Sequence, residues 1–183
     1  MPDVEQPPKP WRSFLADVDA LLSEDVYLHC CGGFVVTQVY GVARTTSDVD
    51  FLGVVPNVRE SLTRIAGKGS ALHRKHKVYL DAVTVATPPE NYQERLLPIF
   101  PHAWVHLRLY ALEAHDLALS KLERNLDRDR DDVQQLARAG YLKPEILKKR
   151  YRDELRPNLT REGWHDQTLE LWIGSYWPAD GEV

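Results

Sequence analysis

Cysteine is scarce in this sequence: only two occur among its 183 residues, and they are neighbours, Cys30 and Cys31. Adjacent cysteines lie too close for an unstrained disulfide, so the sequence predicts two small buried thiols in a reducing compartment. Long apolar runs are also missing, because no stretch approaches the roughly 20 residues that a membrane-spanning helix needs. The first ten residues hold four prolines and two acids rather than the apolar core of a secretory signal. These absences predict a soluble, cytoplasmic protein without a membrane partner.

An excess of positive charge is absent as well. The 23 lysines and arginines are outnumbered by 27 acids, which gives a net charge of -4 and a pI near 6.0. No long-range positive field therefore attracts nucleic acid, and any such contact must come from a local group of cations. With 43% hydrophobic residues the chain can bury a core, and its length favours one domain with at most a small appendage.

The residue pattern divides the chain into three parts. Residues 1–10 are rich in proline and polar, which predicts a flexible lead-in. Residues 11–113 contain short β-prone runs between amphipathic stretches, whereas residues 114–183 have helical periodicity. We therefore predict an α/β (α+β) fold, in which an α/β core is followed by a C-terminal helical region packed on that core.

Apolar spacing and turn residues predict the order of the elements. In the core we expect helices from Ser13, over residues 34–40 and over 58–65, and strands over residues 26–31, 49–55, 77–85 and 104–112. In the last part we expect helices near residues 115–125, 129–139, 144–155 and 161–174.

Two aspartates, Asp48 and Asp50, stand two positions apart at the start of the second predicted strand. Side chains alternate along a strand, so both point to one face, where their charges repel unless a cation or a proton lies between them. Carboxylate oxygens suit Mg²⁺, which takes one or two carboxylates and completes its shell with phosphate and water. The same pattern also fits a solvated strand end, so the surrounding sequence must decide between the two interpretations.

That surrounding sequence has a glycine turn before a buried helix, a polar segment leading into the aspartate pair, and a third acid on the next predicted strand. This order resembles the nucleotidyltransferase superfamily of DNA polymerase β type. In chain order the matching residues are Gly32, Gly33, Arg44, Thr46, Ser47, Asp48, Asp50 and Asp81.

The resemblance implies a core built on a small mixed β-sheet, with Mg²⁺ or Mn²⁺ and an NTP bound to it. The catalytic metal ligands would be Asp48, Asp50 and Asp81. Two metals can stabilise both the attacking and the leaving oxygen of an in-line displacement, and the third carboxylate can take the proton of the attacking hydroxyl.

The same resemblance implies that the glycine turn binds the triphosphate. Backbone N–H groups at the start of a helix attract anions, and glycines let a phosphate approach closely. Many relatives have serine where this chain has Gly33, so a hydroxyl contact to phosphate is missing here. The nucleotide-binding residues implied in this part of the chain are Gly32, Gly33, Arg44, Thr46 and Ser47.

The helical part carries a second resemblance. The runs from His115 to Leu122 and from Arg128 to Val133 resemble bacterial toxin-antitoxin-linked nucleotidyltransferases such as the AbiEii-like enzymes, and above all the DUF6036 group. The resemblance implies that Lys121 binds the phosphates of the nucleotide and that Asp129 assists catalysis. From the residues alone, Lys121 fits a snorkelling surface cation equally well, and the run 127–132 fits a solvated helix start with i,i+4 charge pairs.

Three further segments bear on partners. Residues 143–156 form a basic helix, which is either an ordinary soluble face or a docking surface for RNA or an acidic protein. Residues 67–70 lack the upstream glycine of a P-loop and predict a basic turn, and the residues around His73 and His76 predict a positive edge that can touch phosphates. The C-terminal segment is too aromatic for a free tail, so we expect it to dock on the core or to form a homo-oligomer with a second copy.

The resemblance implies transfer of a nucleoside monophosphate from an NTP, such as ATP, to a hydroxyl on a macromolecule. The acceptor would be a tRNA end, or a tyrosine or serine of a cognate toxin or antitoxin protein, in a bacterial toxin-antitoxin or phage-defence system. The alternative is an antitoxin-like binding module with the same fold that acts only by contact with its partner. A glycosyltransferase with a D-x-D pair would need a larger sugar-nucleotide domain than this chain provides.

Overall fold

The computed structural model of the protein describes residues 6–53, 56–84 and 86–178. Residues 1–5 of the predicted lead-in lie outside this described part, and so do Val54 and Val55 of the second predicted strand and Val85 of the third. The chain forms two compact units. The first consists of Met1–Thr84 and Leu96–Leu112, and the second of Val85–Arg95 and Glu113–Val183.

The first unit contains a five-stranded sheet and four α-helices, one before the first strand and three between the first and the third strand. Its helices are α1 (Trp11–Asp19), α2 (Gly32–Gln38), α3 (Pro56–Ala66) and α4 (Ala71–His76). Its strands are β1 (Val26–Cys31), β2 (Asp48–Leu52), β3 (Tyr79–Ala82), β4 (Leu97–Ile99) and β5 (Leu107–Ala111).

The strands lie in the order β3-β2-β1-β5-β4. β1 runs antiparallel to β2 and parallel to β5, while β2 is parallel to β3 and β4 is antiparallel to β5. The sheet is therefore mixed, and the predicted α/β class with a small mixed sheet is confirmed.

The two faces of the sheet differ in chemistry because side chains alternate along each strand. One face forms the core of the unit, where Trp11 of α1 meets Phe34 of α2 edge to face with ring centroids 5.0 Å apart. The other face carries the acids of β2 and β3. The buried strand residues of the core face are Leu28, Cys30, Val49, Phe51, Leu80, Ile99, Leu107, Leu109 and Ala111.

Three elements of the first unit, α4, β4 and β5, differ from the sequence expectation. Residues 71–76, expected to be a basic edge, form α4, because the hydroxyl of Ser70 accepts a hydrogen bond from the backbone N–H of His73 at 3.0 Å and caps the helix. The short strand β4 was not expected at all, since it is only three residues long and contains Pro98. The last strand, β5, begins at Leu107 rather than at residue 104.

Asp19, at the end of α1, fixes the entry into β5. Its carboxylate accepts hydrogen bonds from the backbone N–H groups of Val105, His106 and Leu107 at 3.0, 2.7 and 2.8 Å. Burial raises the pKa of Asp19, but these three hydrogen bonds outweigh that effect and the net shift is downward. One buried carboxylate thus satisfies three backbone donors that lie more than 80 residues away in sequence.

We expect Asp19→Ala to lower the free energy of unfolding by about 2–4 kcal/mol, because it leaves backbone donors without an acceptor. Urea unfolding followed by circular dichroism measures this change. Asp25→Ala is the matched control, since Asp25 is 45% exposed and pairs with His106 from the surface. That variant should lose less than about 1 kcal/mol. Equal losses in the two variants would contradict the anchoring role of Asp19.

The second unit is helical. Its α-helices are α5 (Ala114–Leu119), α6 (Asp127–Arg138), α7 (Pro144–Arg150) and α8 (Glu162–Tyr176). A wider helical turn over Tyr151–Leu155 continues α7, so the expected helix over residues 144–155 is confirmed. The helix expected over residues 115–125 stops at Leu119, and the chain turns before Asn125, which has a left-handed φ of 44°. None of the helices in the described ranges is long and apolar enough to cross a membrane.

Buried ion pairs stabilise the second unit around Asp116, whose side chain is fully buried. Arg95 donates to both of its carboxylate oxygens, at 2.8 and 3.1 Å, and Arg150 donates to Asp116 at 3.0 Å and also to Glu113. Burial opposes the ionisation of Glu113, but hydrogen bonds from His115 and Arg150 outweigh it and lower its pKa to about 2. The unit therefore depends on paired charges as well as on apolar packing.

Candidate metal and nucleotide site

The pairing of β2 with β3 brings three carboxylates together. The register places Asp50 directly opposite Asp81, while Asp48 lies opposite Tyr79. One carboxylate oxygen from each of Asp48, Asp50 and Asp81 lies within 4.8 Å of the others. Asp48 and Asp50 are half-buried, and Asp81 is exposed. The expected convergence of the three acids is therefore present, and it results from strand alternation together with a parallel register.

The acidic triad has the dimensions of a site for a divalent cation. Two oxygens on one Mg²⁺ lie at most about 4.2 Å apart, because each stands at about 2.1 Å from the ion. The observed limit of 4.8 Å is within a small side-chain rotation of that value. Three carboxylates at this spacing repel one another in water, and a bound cation removes the repulsion. The donor set, oxygen only, is the one that Mg²⁺ and Mn²⁺ prefer.

Gly32 begins α2 immediately beside this triad. Its φ is 64°, in the left-handed region that favours glycine, and a Cβ on it would lie 1.7 Å from Oδ2 of Asp50. The neighbouring Cys31 pairs with Asp50 across β1 and β2, which explains the close approach. Glycine is thus required here both for its backbone conformation and for the space it leaves to the acid.

Gly33 lies against the polar segment that precedes β2. A Cβ on Gly33 would lie 2.8 Å from Oγ1 of Thr46 and 3.1 Å from Cζ of Arg44. Thr46 in turn donates a hydrogen bond of 2.8 Å to Oδ1 of Asp48. The backbone oxygen of Ser47 accepts from the N–H of Tyr79, which ties the same segment to β3. The expected nucleotide-binding residues of this unit are therefore assembled around the triad.

Tyr79 belongs to the site and was missed from the sequence. Its hydroxyl donates to Oδ2 of Asp48 at 3.4 Å. Burial raises the pKa of Tyr79, and the negative charges of Asp48 and Asp81 raise it further. The missed signal is its position two residues before Asp81, which puts both side chains on the same face of β3.

Two more residues of this sheet face were not anticipated. Cys31 lies opposite Asp50, and His29 lies two residues earlier on β1, so His29 is on the face of the acids, with Tyr110 as its neighbour on β5. Burial lowers the pKa of His29, which favours the neutral imidazole at neutral pH. A Cβ on Gly53 would lie 2.5 Å from Nδ1 of His29, so β2 ends against this ring.

Lys121 and Asp129 lie in the second unit, buried beside each other. The ammonium of Lys121 donates to Oδ2 of Asp132 at 2.9 Å and lies 3.5 Å from Oδ1 of Asp129. Lys121 is only 4% exposed, so the interpretation as a snorkelling surface cation is wrong. Burial raises the pKa of Asp129, but Arg124 and Lys121 outweigh it and the net shift is downward. The phosphate and catalytic roles implied by the resemblance stay predictions for these two residues.

The comparison with known families agrees with the geometry of the triad and the glycine turn. The family described as "Nucleotidyltransferase of unknown function (DUF6036)" matches residues 15–171. The chain belongs to this family. The match includes residues of both units, from the second half of α1 to most of α8, so the expected membership is confirmed over a longer stretch than its motifs occupy. No curated protein and no solved structure gives a significant match.

We expect Gly32→Ala to lower the affinity for Mn²⁺ at least tenfold, because its Cβ would displace the carboxylate of Asp50. Isothermal titration with Mn²⁺ alone measures the affinity. Gly41→Ala is the matched control, since Gly41 has a φ of 69° but open space around the missing Cβ. Both variants should lose about 1–2 kcal/mol of stability through the left-handed backbone, and only Gly32→Ala should lose metal. Unchanged Mn²⁺ binding in Gly32→Ala would argue against the triad as a metal site.

We expect Lys121→Met to lower the free energy of unfolding by about 3–5 kcal/mol, because it breaks the buried ion pair between Lys121 and Asp132. The control is Lys149→Met, whose lysine is 72% exposed and pairs with Asp153 on the surface; it should cost less than about 1 kcal/mol. Urea unfolding gives both values. If Lys121→Met keeps the wild-type stability and instead weakens binding of Mg²⁺·ATP, the phosphate role is supported and the structural one is not.

Proposed function

We propose that this protein is a metal-dependent nucleotidyltransferase that transfers a nucleoside monophosphate from an NTP to a hydroxyl group of a macromolecule. The oxygen of the acceptor attacks the α-phosphorus, the bond between the α-phosphorus and the bridging oxygen to the β-phosphate breaks, and pyrophosphate leaves. The proton of the acceptor hydroxyl passes to a carboxylate or to water. The substrate class is therefore an NTP together with a macromolecular alcohol.

The observation that carries the proposal is the contact between the glycine turn and the acidic triad. An acidic cluster alone fits many surfaces, and a glycine turn alone fits many loops. Here the missing Cβ of Gly32 is the space that Asp50 occupies. With a nucleotide bound, the peptide N–H groups of the glycine turn would face its phosphates, and the carboxylates would hold a divalent cation that supplies positive charge to them. Membership in a family described as nucleotidyltransferases supports the same chemistry.

Four residues of the site in the first unit have a task in the proposed reaction. Asp48, Asp50 and Asp81 hold the divalent cation, which when bound supplies positive charge to the phosphates and orients them for in-line attack. Thr46 fixes the carboxylate of Asp48 through its 2.8 Å hydrogen bond. Asp81 is the most exposed of the three acids, and this accessibility supports its second task as acceptor of the proton from the attacking hydroxyl.

The remaining assignments follow the resemblance. Gly32 and Gly33 receive the triphosphate through backbone N–H groups, while Arg44 and Ser47 border it. Lys121 contacts phosphate and Asp129 assists the catalytic centre. The alternative is a purely structural role in their buried ion pair, and the Lys121→Met measurement distinguishes the two roles. A place in a bacterial toxin-antitoxin or phage-defence system, with tRNA or a cognate protein as the acceptor, rests on the resemblance alone.

The decisive experiment incubates the protein with each α-³²P-labelled NTP, Mg²⁺, tRNA and a cell lysate, and follows label on macromolecules. The wild type should transfer label, and Asp48→Asn with Asp50→Asn should reduce the rate by at least a thousandfold, because neutral amides do not hold the cation. Asp25→Asn, on the surface of the same unit, should leave the rate unchanged.

The same variants separate catalysis from a contact-only role. If the wild type neither binds Mg²⁺·NTP nor labels any acceptor, the enzymatic proposal fails. If the double variant retains the full effect of the wild type on a host cell, the protein acts as a binding module and its chemistry is dispensable for that effect.

A further inference from the structure

A basic surface borders the acidic triad in the first unit. We use the name basic segment for residues 67–77, which contain four cations and no acid. The sequence from residue 61 to residue 80 has no aspartate or glutamate at all, although the whole chain has a net charge of -4. The positive charge is thus concentrated in one turn and one short helix, α4.

The basic segment is held in place by contacts within the first unit. Asp17 of α1 accepts hydrogen bonds from Lys75 at 2.6 Å and from His76 at 2.7 Å, and these two residues thereby fasten α4 to α1. The turn before α4 is closed by the N–H of Gly69, which donates to Nδ1 of His73 at 2.9 Å. The segment therefore has a defined shape rather than being a loose basic loop.

These contacts leave three cations of the segment without an acid. Within the described part of the chain, Lys68, Arg74 and Lys77 form no ion pair with a carboxylate, and Lys68 and Lys77 are exposed at opposite ends of α4. Arg74 donates a hydrogen bond to the backbone oxygen of Gly69. Lys68 lies in the turn before α4, Arg74 lies on α4 and Lys77 directly follows it, so the unpaired charge is distributed along the segment.

One of these cations, Lys68, lies near the acidic triad. The ammonium of Lys68 lies 5.9 Å from the centre of the ring of Tyr79, and the hydroxyl of that ring donates to Asp48. His73 packs edge to face on the same ring with centroids 5.0 Å apart. Lys68 of the basic segment and Asp48 of the triad therefore both contact Tyr79.

The basic stretch over residues 143–156, which the sequence suggested as a docking surface, forms ion pairs in the structure. Within the described part of the chain, each of its cations except Lys143 pairs with an acid of the second unit. The pairs are Lys148–Glu170, Lys149–Asp153, Arg150–Glu113, Arg150–Asp116, Arg152–Asp153, Arg156–Glu162 and Arg156–Asp166. A carboxylate beside a cation cancels much of its positive field, so paired cations attract a polyanion less than unpaired ones do.

We propose that the acceptor of the reaction is a polynucleotide, whose phosphates next to the reacting hydroxyl bind the basic segment through Lys68, Arg74 and Lys77. This inference rests on the proposed nucleotidyltransferase function and names its acceptor class. In the proposed reaction, the divalent cation and the glycine turn bind the triphosphate of the NTP, so the basic segment is not needed for that task. The separate set of unpaired cations beside the site suits the phosphate backbone of a polynucleotide. Such a backbone binds lysine and arginine by charge and without base contacts.

The test measures binding of fluorescein-labelled tRNA, and in parallel a single-stranded DNA of 20 nucleotides, by anisotropy over a series of salt concentrations. We expect Lys68→Gln with Lys77→Gln to weaken tRNA binding at least tenfold at low salt. The slope of log affinity against log salt should fall by about 1.4–1.8, since each phosphate contact contributes about 0.7–0.9. Lys148→Gln with Lys149→Gln is the matched control, and it should change the affinity less than twofold.

The outcomes separate this inference from the proposed function. Binding of Mg²⁺·ATP should be the same in wild type and in the Lys68/Lys77 variant, and Asp48→Asn with Asp50→Asn should still bind tRNA. Equal losses in the two lysine variants, or no binding of tRNA or DNA by the wild type, overturn the inference, even if label transfer to a protein upholds the enzyme. Weakened Mg²⁺·ATP binding with unchanged tRNA binding also overturns it, since the segment then serves the triphosphate. Retained tRNA binding without any NTP binding instead overturns the proposed function.

Discussion

The steric exclusion at the junction of β1 and α2 is the constraint on which the site depends. The chain leaves β1 and enters α2 through a residue whose side chain would occupy the place of a carboxylate oxygen of Asp50. The sheet register then brings Asp81 opposite Asp50, and the segment before β2 supplies Thr46 to hold Asp48. A shift of one residue in either strand would turn the acids to the core face, where unpaired charges are costly.

Much of this arrangement could be predicted because it depends on local rules. Alternation along a strand places Asp48 and Asp50 on one face without knowledge of the fold, and a glycine pair between strand and helix marks a turn. Asp81 required the resemblance, since nothing in its own neighbourhood says that β3 pairs with β2 in parallel. The fold class could also be predicted from local rules, because strand-like and helical periodicities occupy different parts of the chain.

The parts that sequence could not supply depend on distant partners. α4 has almost no apolar periodicity, and its position is set by Ser70 and by Asp17, which is more than 50 residues away. Tyr79 becomes part of the site only through the register with Asp48. Lys121 fitted a surface cation by spacing, yet Asp132 makes it a buried one. Charge shows the same dependence, because a basic composition says nothing about whether acids lie beside the cations.

Asp17 has a practical consequence for anyone who shortens or fuses this chain at its beginning. This one carboxylate on α1 accepts hydrogen bonds from Lys75 and His76, so α1 holds the basic segment in position although that segment lies more than 50 residues further along the chain. A protein trimmed past residue 17 keeps every residue of the acidic triad and of the glycine turn, but loses this contact together with the buried residues Trp11, Phe14 and Leu15. Such a shortened protein is a poor standard for acceptor specificity, even when its metal affinity looks normal.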